Sequence, residues 1–492
     1  MNRIGELLIT DLRQAIHNLG CHGGLISASI YDTAQVVRLA PPEEGVWPAL
    51  NWLLAQQRSD GGWGDVDAPR TRDVPTLASI LALRPYVTRK PHREAVQEGI
   101  AFLRRQATYW NGPLPDDIPV GSELLLPKLL DDVRSAGLDI SPAPYTRLSN
   151  LGQERLALIH RIKPAAATSA VHSWEGWGQN PDPTACDPTG GVGHSPAATA
   201  AWIAAARHNP QTADQCDLAR RYLVEASQAT GEAIPGVVPT VWPIYRFEAT
   251  FALYTLLMAD LLDHPLLQAV VQPRIDELVA AFGTHGVGFS DHFETDGDTT
   301  AAAMAVLTAA GRDFDRLPST YYRRDQHFCC YPHELQISLS ATARFVHALQ
   351  LLGEDVRQFT ARLETLQNND GRWISDKWHC SWLYPTILVI QALKVAGDHQ
   401  EALQLALRVI LDYQRSDGGW GSTESSSSET AYAVLALRML GNDPLYRPAV
   451  AAALSRARRF MFEHYRPLVR NTTLRWIGKE LYQPYQLIKC WN

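Results

Sequence analysis

The octapeptide Gln57-Arg58-Ser59-Asp60-Gly61-Gly62-Trp63-Gly64 decides the fold class of this 492-residue chain, because the same eight residues return at positions 414–421. A shorter copy, Gln-Asn-Asn-Asp-Gly-Arg-Trp, occupies positions 367–373. Identity over eight residues at two distant positions is too long to be a coincidence. The chain therefore contains an internal repeat, and a repeat fixes the architecture before any single motif does.

Each copy of this turn is followed by an apolar segment that begins with threonine. Thr76 and Thr386 both stand 13 residues after the tryptophan of their turn. Related segments begin at Thr199, at Thr299-Thr300 and at Thr430. A helix that is apolar on most faces must be surrounded by other elements, whereas the arginine-rich segment 447–465 suits a solvent-facing helix. The pattern predicts an all-α protein in which outer helices surround inner ones, which is an α/α toroid.

The repeats form two groups, one before about residue 240 and one after about residue 245. Segment 235–240, which contains two prolines and a glycine, has the composition of a domain boundary. Two toroids that face each other leave a cavity between them, and such cavities commonly bind ligands. We expect Trp63, Trp373 and Trp420 to pack between helices rather than to contact a ligand.

Composition excludes several classes of protein. The chain is 46% hydrophobic and 20% charged, as globular proteins are. A net charge of −7 without a basic stripe argues against nucleic acid as a partner. No run of about 18 apolar residues predicts a transmembrane segment, and the N-terminus does not resemble a signal peptide. The seven scattered cysteines predict reduced thiols and a cytoplasmic location.

The sequence Asp296-Gly297-Asp298-Thr299-Thr300 places two carboxylates at the start of an apolar helix. Buried carboxylates are costly unless they are paired or hydrogen-bonded, so they indicate a functional site. The same residues also suit a turn followed by a helix cap. The motif alone leaves both interpretations open.

The turns, the paired toroids and the acidic motif together resemble the class II terpene cyclases, and copalyl diphosphate synthases in particular. Further segments match that family in the same order along the chain, namely 57–83, 119–127, 171–176, 376–386 and 476–482. The resemblance implies the βγ architecture of two α/α barrels. Residues 1–22 and 245–492 would form the β domain, with residues 23–244 as an inserted γ domain.

The resemblance also implies a chemistry for the acidic motif. These enzymes protonate a terminal alkene, and Asp298 matches their general acid while Asp296 matches its supporting carboxylate. Burial and a nearby carboxylate raise a carboxyl pKa, so the acid keeps its proton before the reaction. The helix N-terminus, with Thr299 following, stabilises the carboxylate that remains afterwards.

Thr299 is the departure from the copalyl pattern, which has a third aspartate at that position. An Asp-x-Asp-Thr-Thr motif resembles the bacterial drimenyl diphosphate synthases, which convert farnesyl diphosphate to a bicyclic drimane-type diphosphate. The alternative is a diterpene cyclase of the copalyl or halimadienyl type acting on geranylgeranyl diphosphate. The metal-dependent ionisation motif Asp-Asp-x-x-Asp is absent, since Asp131-Asp132 is followed by Val-Arg-Ser, which predicts that the diphosphate is retained. A non-catalytic toroid module is a remote alternative.

Other site residues follow from the resemblance or from residue type. His172 matches the histidine that helps to remove the last proton, and Thr189 falls near the position of its asparagine partner. Candidates for holding the prenyl diphosphate or its cations are Arg155, Lys163, Lys479, Trp378, Trp382 and Tyr384. Candidate Mg²⁺ ligands are Asp60, Asp65, Asp116, Asp117 and Glu123, although these acids also suit turns and solvated loops. The oligomeric state stays open, with a homodimer as one alternative.

Overall fold

A computed structural model of the chain describes residues 3–114, 118–334, 337–374, 376–441, 443–466 and 473–491. These residues are mostly helical, which confirms the predicted all-α class. The α-helices are α1 Arg3–His17, α2 Ile30–Leu39, α3 Trp47–Ala55, α4 Asp73–Leu83, α5 Lys90–Gln106, α6 Ser122–Ser135, α7 Thr146–Ile162, α8 Pro196–Ala206, α9 Ala213–Thr230, α10 Tyr245–Met258, α11 Gln268–Ala281, α12 Gly297–Ala309, α13 Pro318–Tyr321, α14 Leu339–Leu351, α15 Arg357–Thr365, α16 Leu383–Ala396, α17 Gln400–Asp412, α18 Ser427–Leu440, α19 Arg447–His464 and α20 Tyr485–Trp491. Two short strands, β1 Trp476–Ile477 and β2 Leu481–Tyr482, pair antiparallel as a hairpin.

Six inner helices form a closed ring in the C-terminal half. Each of α10, α12, α14, α16, α18 and α20 packs against the next, and α20 packs back against α10. Outer helices α11, α15, α17 and α19 pack against this ring, and α1 from the N-terminus packs against α11 and α20. Helix α12 is buried on every side from Gly297 to Leu307, as expected for an inner helix. This half of the molecule is the predicted α/α toroid.

The second ring, in the N-terminal half, includes one irregular member. Helices α2, α4, α6 and α8 close a ring together with the 3₁₀ helix Val171–Gly176, which lies between α6 and α8. Outer helices α3 and α5 pack against α4, and α7 and α9 pack against α6 and α8. The irregular segment carries His172, so this candidate residue belongs to an inner element of the ring.

The repeated turn joins neighbouring helices through one set of hydrogen bonds. The side chain of Gln57 donates to the carbonyls of Gly61 and Ala95, at 2.8 and 2.9 Å. The indole of Trp63 donates to the Leu53 carbonyl at 2.7 Å, and the Trp63 amide donates to the Thr76 hydroxyl at 3.0 Å. The copies around residues 367–373 and 414–421 make the same contacts. The prediction that these tryptophans are packing residues is confirmed.

The apolar cores follow the two rings. One core combines residues 15–26 with residues 241–490. Two further cores are built from residues 31–242. The exact domain boundaries at 22 and 245 stay predictions. All seven cysteines are free thiols, and among the described residues no helix is both long and apolar enough to cross a membrane.

Candidate active site

A cavity with about 720 Å³ of empty space, part of it open to solvent, lies between the two rings. One ring contributes Val120, Ser169 and His172 to its wall, and the other contributes the acidic motif. The rest of the wall is largely aromatic and comprises Phe247, Phe251, Phe289, Phe293, Tyr331, Trp378, Trp476 and Tyr482. Aromatic faces stabilise cations, so this wall suits an apolar ligand that becomes positively charged.

The acidic motif forms both the cap of α12 and part of the cavity wall. Asp296 is the N-cap residue, and its Oδ1 accepts from the Thr299 amide at 2.7 Å. Its buried Oδ2 has no hydrogen-bond partner among the described residues. Burial raises the pKa of Asp296 to about 7, with a contribution from the charge of Asp298. The helix-cap interpretation is therefore confirmed, and the same protonatable group lines a cavity.

The two threonines of the motif differ in their surroundings. The Thr300 hydroxyl accepts from the Val287 amide at 3.0 Å, as Thr76 does for Trp63. Thr300 is thus the structural threonine of the repeat. The Thr299 hydroxyl is buried in the cavity wall and has no partner within the described part of the chain. Of these two hydroxyl groups, only that of Thr299 is available to a ligand.

Arg344 is a site residue that the sequence analysis missed. It lies on α14, is 1% exposed, and donates from Nη1 to Asp298 Oδ1 at 2.5 Å. Its other terminal nitrogen donates to the Tyr384 hydroxyl. The guanidinium also lies 4.5 Å from the centre of the Phe251 ring. Burial raises the pKa of Asp298, while the charge of Arg344 opposes that rise. The feature of the sequence that could have indicated Arg344 is a single arginine within the apolar sequence of an inner helix.

His172 lines the cavity as a neutral imidazole. Its Nδ1 lies 2.8 Å from the Gly193 carbonyl, so Nδ1 carries the hydrogen and Nε2 carries a lone pair. Burial lowers the pKa of His172 well below its usual value, with a further contribution from the charge of Lys479. A neutral imidazole with a free lone pair can accept a proton directly or through water. Thr189, the predicted partner, donates its hydroxyl to Asp187 at 2.5 Å, and its role stays a prediction.

A cluster of four charged side chains lies beside Trp378 and Tyr331 in the cavity wall. Lys377 Nζ lies 2.5 Å from Glu334 Oε2 and 4.5 Å from the centre of the Trp378 ring. Arg155 donates to the His333 carbonyl at 2.7 Å, and its Nε lies 3.9 Å from Glu123 Oε1. Burial raises the pKa values of Glu123 and Glu334. This polar cluster of Arg155, Lys377, Glu123 and Glu334 includes two cations, and the charges of both act at Glu123. The sequence analysis did not predict Lys377 and Glu334.

Four predicted ligand-binding residues lie elsewhere. Lys479 is fully buried beside Glu175, at 2.6 Å, and is not in the cavity wall. Trp382 packs against Tyr413 with ring centres 5.4 Å apart. Tyr384 holds Arg344, and Lys163 is the exposed residue that ends α7. Of the residues predicted to contact substrate, the structure brings Trp378 into the cavity wall and Arg155 into the neighbouring polar cluster.

The three candidate Mg²⁺ ligands that the structure describes, Asp60, Asp65 and Glu123, are not gathered into one centre. Asp60 pairs with Arg72 at 2.8 Å, which lowers the Asp60 pKa, and it caps the Gly62 amide within its turn. Asp65 caps the Asp67 amide at 2.9 Å. Asp116 and Asp117 lie outside the described residues, and Glu123 belongs to the polar cluster. No group of three or more metal-ligating side chains occurs among the residues that the structure describes. Asp60 and Asp65 make the contacts that the turn and loop interpretation expects, and their role as Mg²⁺ ligands stays a prediction.

Comparison with known proteins agrees with this geometry. Residues 337–442 match the family model described as the squalene-hopene cyclase C-terminal domain. The chain is 45% identical to (+)-kolavenyl diphosphate synthase of Herpetosiphon aurantiacus, covering 100% of this chain and 97% of that one. It is 31% identical to an ent-copalyl diphosphate synthase of a Streptomyces species, covering 95% and 91% of the two chains. The structure of ent-copalyl diphosphate synthase from Streptomyces platensis superposes with a TM-score of 0.79 at 27% identity, covering 98% of both chains.

The chain therefore belongs to the class II terpene cyclases. Its helical rings and interdomain cavity are the α/α toroids of the βγ architecture, which confirms the predicted fold class. Because the relatives are enzymes across nearly the whole chain, the alternative of a non-catalytic binding module is set aside.

Proposed function

We propose that this cyclase protonates geranylgeranyl diphosphate and folds it into a bicyclic C20 diphosphate. The observation that carries the proposal is a protonatable carboxyl pair, Asp296 and Asp298, in the wall of a largely aromatic interdomain cavity. The names of the relatives, kolavenyl and copalyl diphosphate synthases, support a diterpene product that keeps its diphosphate. These names support geranylgeranyl diphosphate as the substrate better than they support the C15 substrate that Thr299 suggested.

A physical reason explains why Thr299 is a weak guide to chain length. It follows Asp298 directly, so it lies where the reaction begins rather than where the diphosphate is held. The length of the prenyl chain that the site accepts depends on the distance between the acid that starts the reaction and the residues that hold the diphosphate. Farnesyl diphosphate, giving a drimane-type product, remains the second candidate substrate on the strength of the Asp-x-Asp-Thr-Thr motif alone.

Three parts of the site would share the reaction. Asp298 would give its proton to the terminal alkene, with Asp296 as its supporting carboxyl group. The aromatic wall would stabilise the successive carbocations. His172, as a neutral imidazole with Nε2 free, would take up the last proton directly or through water. Its low pKa keeps it able to accept a proton across the neutral range.

The polar cluster would hold the diphosphate. Arg155 and Lys377 supply cationic donors beside the cavity, and guanidinium and ammonium groups bind phosphate oxygens well. Mg²⁺ fits this cluster, because it needs only one or two protein carboxylates when phosphates supply the other oxygens. Glu123 and Glu334 are the described carboxylates that would hold it, and the ion would neutralise diphosphate charge.

The proposal is tested by supplying the full-length protein and Mg²⁺ with geranylgeranyl diphosphate, farnesyl diphosphate or squalene. Products are dephosphorylated and identified by gas chromatography with mass spectrometry. We expect a bicyclic C20 alcohol from the first substrate. Turnover of farnesyl diphosphate alone would restore the C15 assignment, and a hydrocarbon formed from either prenyl diphosphate without dephosphorylation would contradict retention of the diphosphate.

Substituting His172→Ala should alter the products more than the consumption of substrate. Protonation by Asp298 is left intact, but the carbocation loses its proton acceptor, so the share of the wild-type product should fall by at least about tenfold, given the 10²–10⁴-fold worth of general base catalysis. Isomeric alkenes or hydroxylated products should replace it. The measurement is the product profile at matched substrate conversion.

The control is His92→Ala, which alters a histidine on outer helix α5. It should leave the product profile unchanged. An unchanged profile in His172→Ala as well would remove His172 from the proposed mechanism.

A further inference from the structure

A buried triad of Asp187, His194 and Ser290 joins the two halves of the molecule beside the cavity. Nδ1 of His194 lies 3.0 Å from Asp187 Oδ2, and Nε2 lies 2.6 Å from the hydroxyl oxygen of Ser290. A carboxylate only accepts, so Nδ1 carries the hydrogen and Nε2 of the neutral ring accepts from Ser290. The Ser290 oxygen in turn accepts from the His292 amide at 3.0 Å. Each member of the triad is at most 4% exposed.

The order of carboxylate, imidazole and hydroxyl is that of a serine hydrolase triad, but this serine has no access to a substrate. Ser290 is 2% exposed and is not among the residues of the cavity wall. Phe289, which precedes it, and Phe293, three residues later, do line the cavity. The buried triad therefore holds the wall of the cavity in place rather than reacting with a ligand.

His194 connects the segment that holds His172 with the segment that carries the aromatic wall. The carbonyl of Gly193, the residue before His194, lies 2.8 Å from Nδ1 of His172. The His194 ring packs against Phe293, with ring centres 5.0 Å apart. Its Nε2 also holds Ser290 in the same loop as Phe293. A displacement of His194 would therefore change the position of the aromatic wall relative to His172.

The backbone around His194 is constrained as well. His194 has a φ of 55°, in the left-handed region that residues other than glycine rarely adopt. A Cβ at Gly193 would lie 2.4 Å from the amide nitrogen of His172, so the two segments approach more closely than a side chain at Gly193 allows. The Trp242 amide donates to the His194 carbonyl at 3.0 Å. Such backbone conformations persist where surrounding contacts determine them, and they concentrate at functional sites.

We propose that the buried triad fixes the position of Phe293 relative to His172, and that this position determines which carbocation loses its proton. Proton loss from different carbons of a cyclised cation gives different alkenes. Aromatic faces hold the charge near themselves, and the proton leaves where the acceptor reaches it. In that step a C–H bond next to the cationic carbon breaks, its electrons form the alkene, and the proton passes to Nε2 of His172 directly or through water. The members of the triad are positioning residues, and the inference rests on the proposed cyclisation.

The alternative, that the triad serves only to join the two halves, is less well supported. Other contacts join them away from the cavity, since Asp67 accepts from the Thr423 hydroxyl and, at 3.0 Å, from Nη2 of Arg475. Neither donor is among the residues of the cavity wall. The buried triad, in contrast, lies directly behind the wall and packs against Phe293.

The experiment compares His194→Phe, Ser290→Ala and their double variant with the wild-type protein, using Mg²⁺ and the prenyl diphosphate that the wild-type protein turns over. His194→Phe keeps a ring against Phe293 but loses both hydrogen bonds. In each single variant the ratio of the wild-type product to its isomers should fall about fivefold, the effect expected of one hydrogen bond. The consumption of substrate should fall less than this ratio, because the acidic motif and the polar cluster are unaltered.

The double variant should resemble the more strongly altered single variant, because both substitutions break the same hydrogen bond. Products are dephosphorylated and compared at matched conversion by gas chromatography with mass spectrometry. Thr423→Ala is the control, since it removes a hydrogen bond between the two halves away from the cavity, and it should leave the product ratio unchanged.

Slower consumption with an unchanged product ratio in both single variants would overturn the inference, as would effects that simply add in the double variant. If His194→Phe does not fold by circular dichroism, Ser290→Ala is compared with Ser290→Thr, which keeps the hydroxyl and should keep the wild-type ratio. An absence of turnover by the wild-type protein with every prenyl diphosphate would contradict the proposed function, and the inference with it. An unchanged ratio contradicts only the role of the triad.

Discussion

Replacing Asp298 by asparagine is expected to abolish cyclisation, with kcat/KM falling on the order of 10³-fold, which is typical for the loss of a positioned general acid. Asparagine has the size of aspartate and can still accept from Arg344 Nη1, but it has no acidic proton to give. The substrate should still bind, because the aromatic wall and the polar cluster are unchanged. Gas chromatography of dephosphorylated products measures the loss.

The fold of Asp298→Asn should be retained at reduced stability. Arg344 would lose its counterion while remaining buried, so the melting temperature should fall even though the far-ultraviolet circular dichroism stays helical. Asp276→Asn is the matched control, because Asp276 is also paired with an arginine but lies at the surface of α11. Turnover of Asp298→Asn near the wild-type rate would show that another group starts the reaction.

The architecture could be predicted because the residues that define it lie close together in the sequence and recur in each copy of the turn. The glutamine, glycine and tryptophan of each turn make the same hydrogen bonds in every copy, and the inner helices are apolar on most faces. The position of Asp296 as a helix cap is equally local, since it depends only on Thr299 three residues later. Structural features that depend on residues close together in the sequence, and that recur along the chain, could thus be predicted from the sequence.

The ion pairs of the site could not be predicted in the same way. Arg344 and Asp298 lie 46 residues apart, and their contact depends on the packing of α14 against α12 around the ring. Lys377 contacts Glu334 across 43 residues. A sequence gives the charge of such residues but not their partners. For that reason Lys163 and Lys479 were predicted as diphosphate ligands, while Lys377 was missed.

Lys479 is the clearest example of a charged residue whose partner could not be predicted, because that partner lies 304 residues away in the other ring. It lies in the turn between β1 and β2, and it donates to Glu175 Oε1 at 2.6 Å and to the Ser195 hydroxyl at 2.5 Å. Asp32 Oδ1 lies 4.0 Å from its nitrogen. Lys479 and its partners are all buried. Lys479 therefore joins the hairpin of one domain to the inner elements of the other.

Substituting Lys479→Ala is expected to lower the free energy of unfolding by about 3–5 kcal/mol, the usual cost of removing one partner from a buried ion pair. Glu175 would lose its cation in the interior, with Tyr31 as its remaining described donor. Urea unfolding followed by tryptophan fluorescence measures the effect. Lys128→Ala is the surface control, since Lys128 also contacts a carboxylate but is half exposed, and it should change stability by less than about 1 kcal/mol.

The double variant Lys479→Met with Glu175→Gln separates the ion pair from simple loss of packing. It leaves no unpaired charge between Lys479 and Glu175, so it should be more stable than Lys479→Ala although two residues are altered. Ile477 and Gly478, which precede Lys479, form part of the cavity wall. Any rise in KM should therefore accompany the loss of stability. A raised KM in Lys479→Ala with unchanged unfolding would instead mean that Lys479 binds the diphosphate directly.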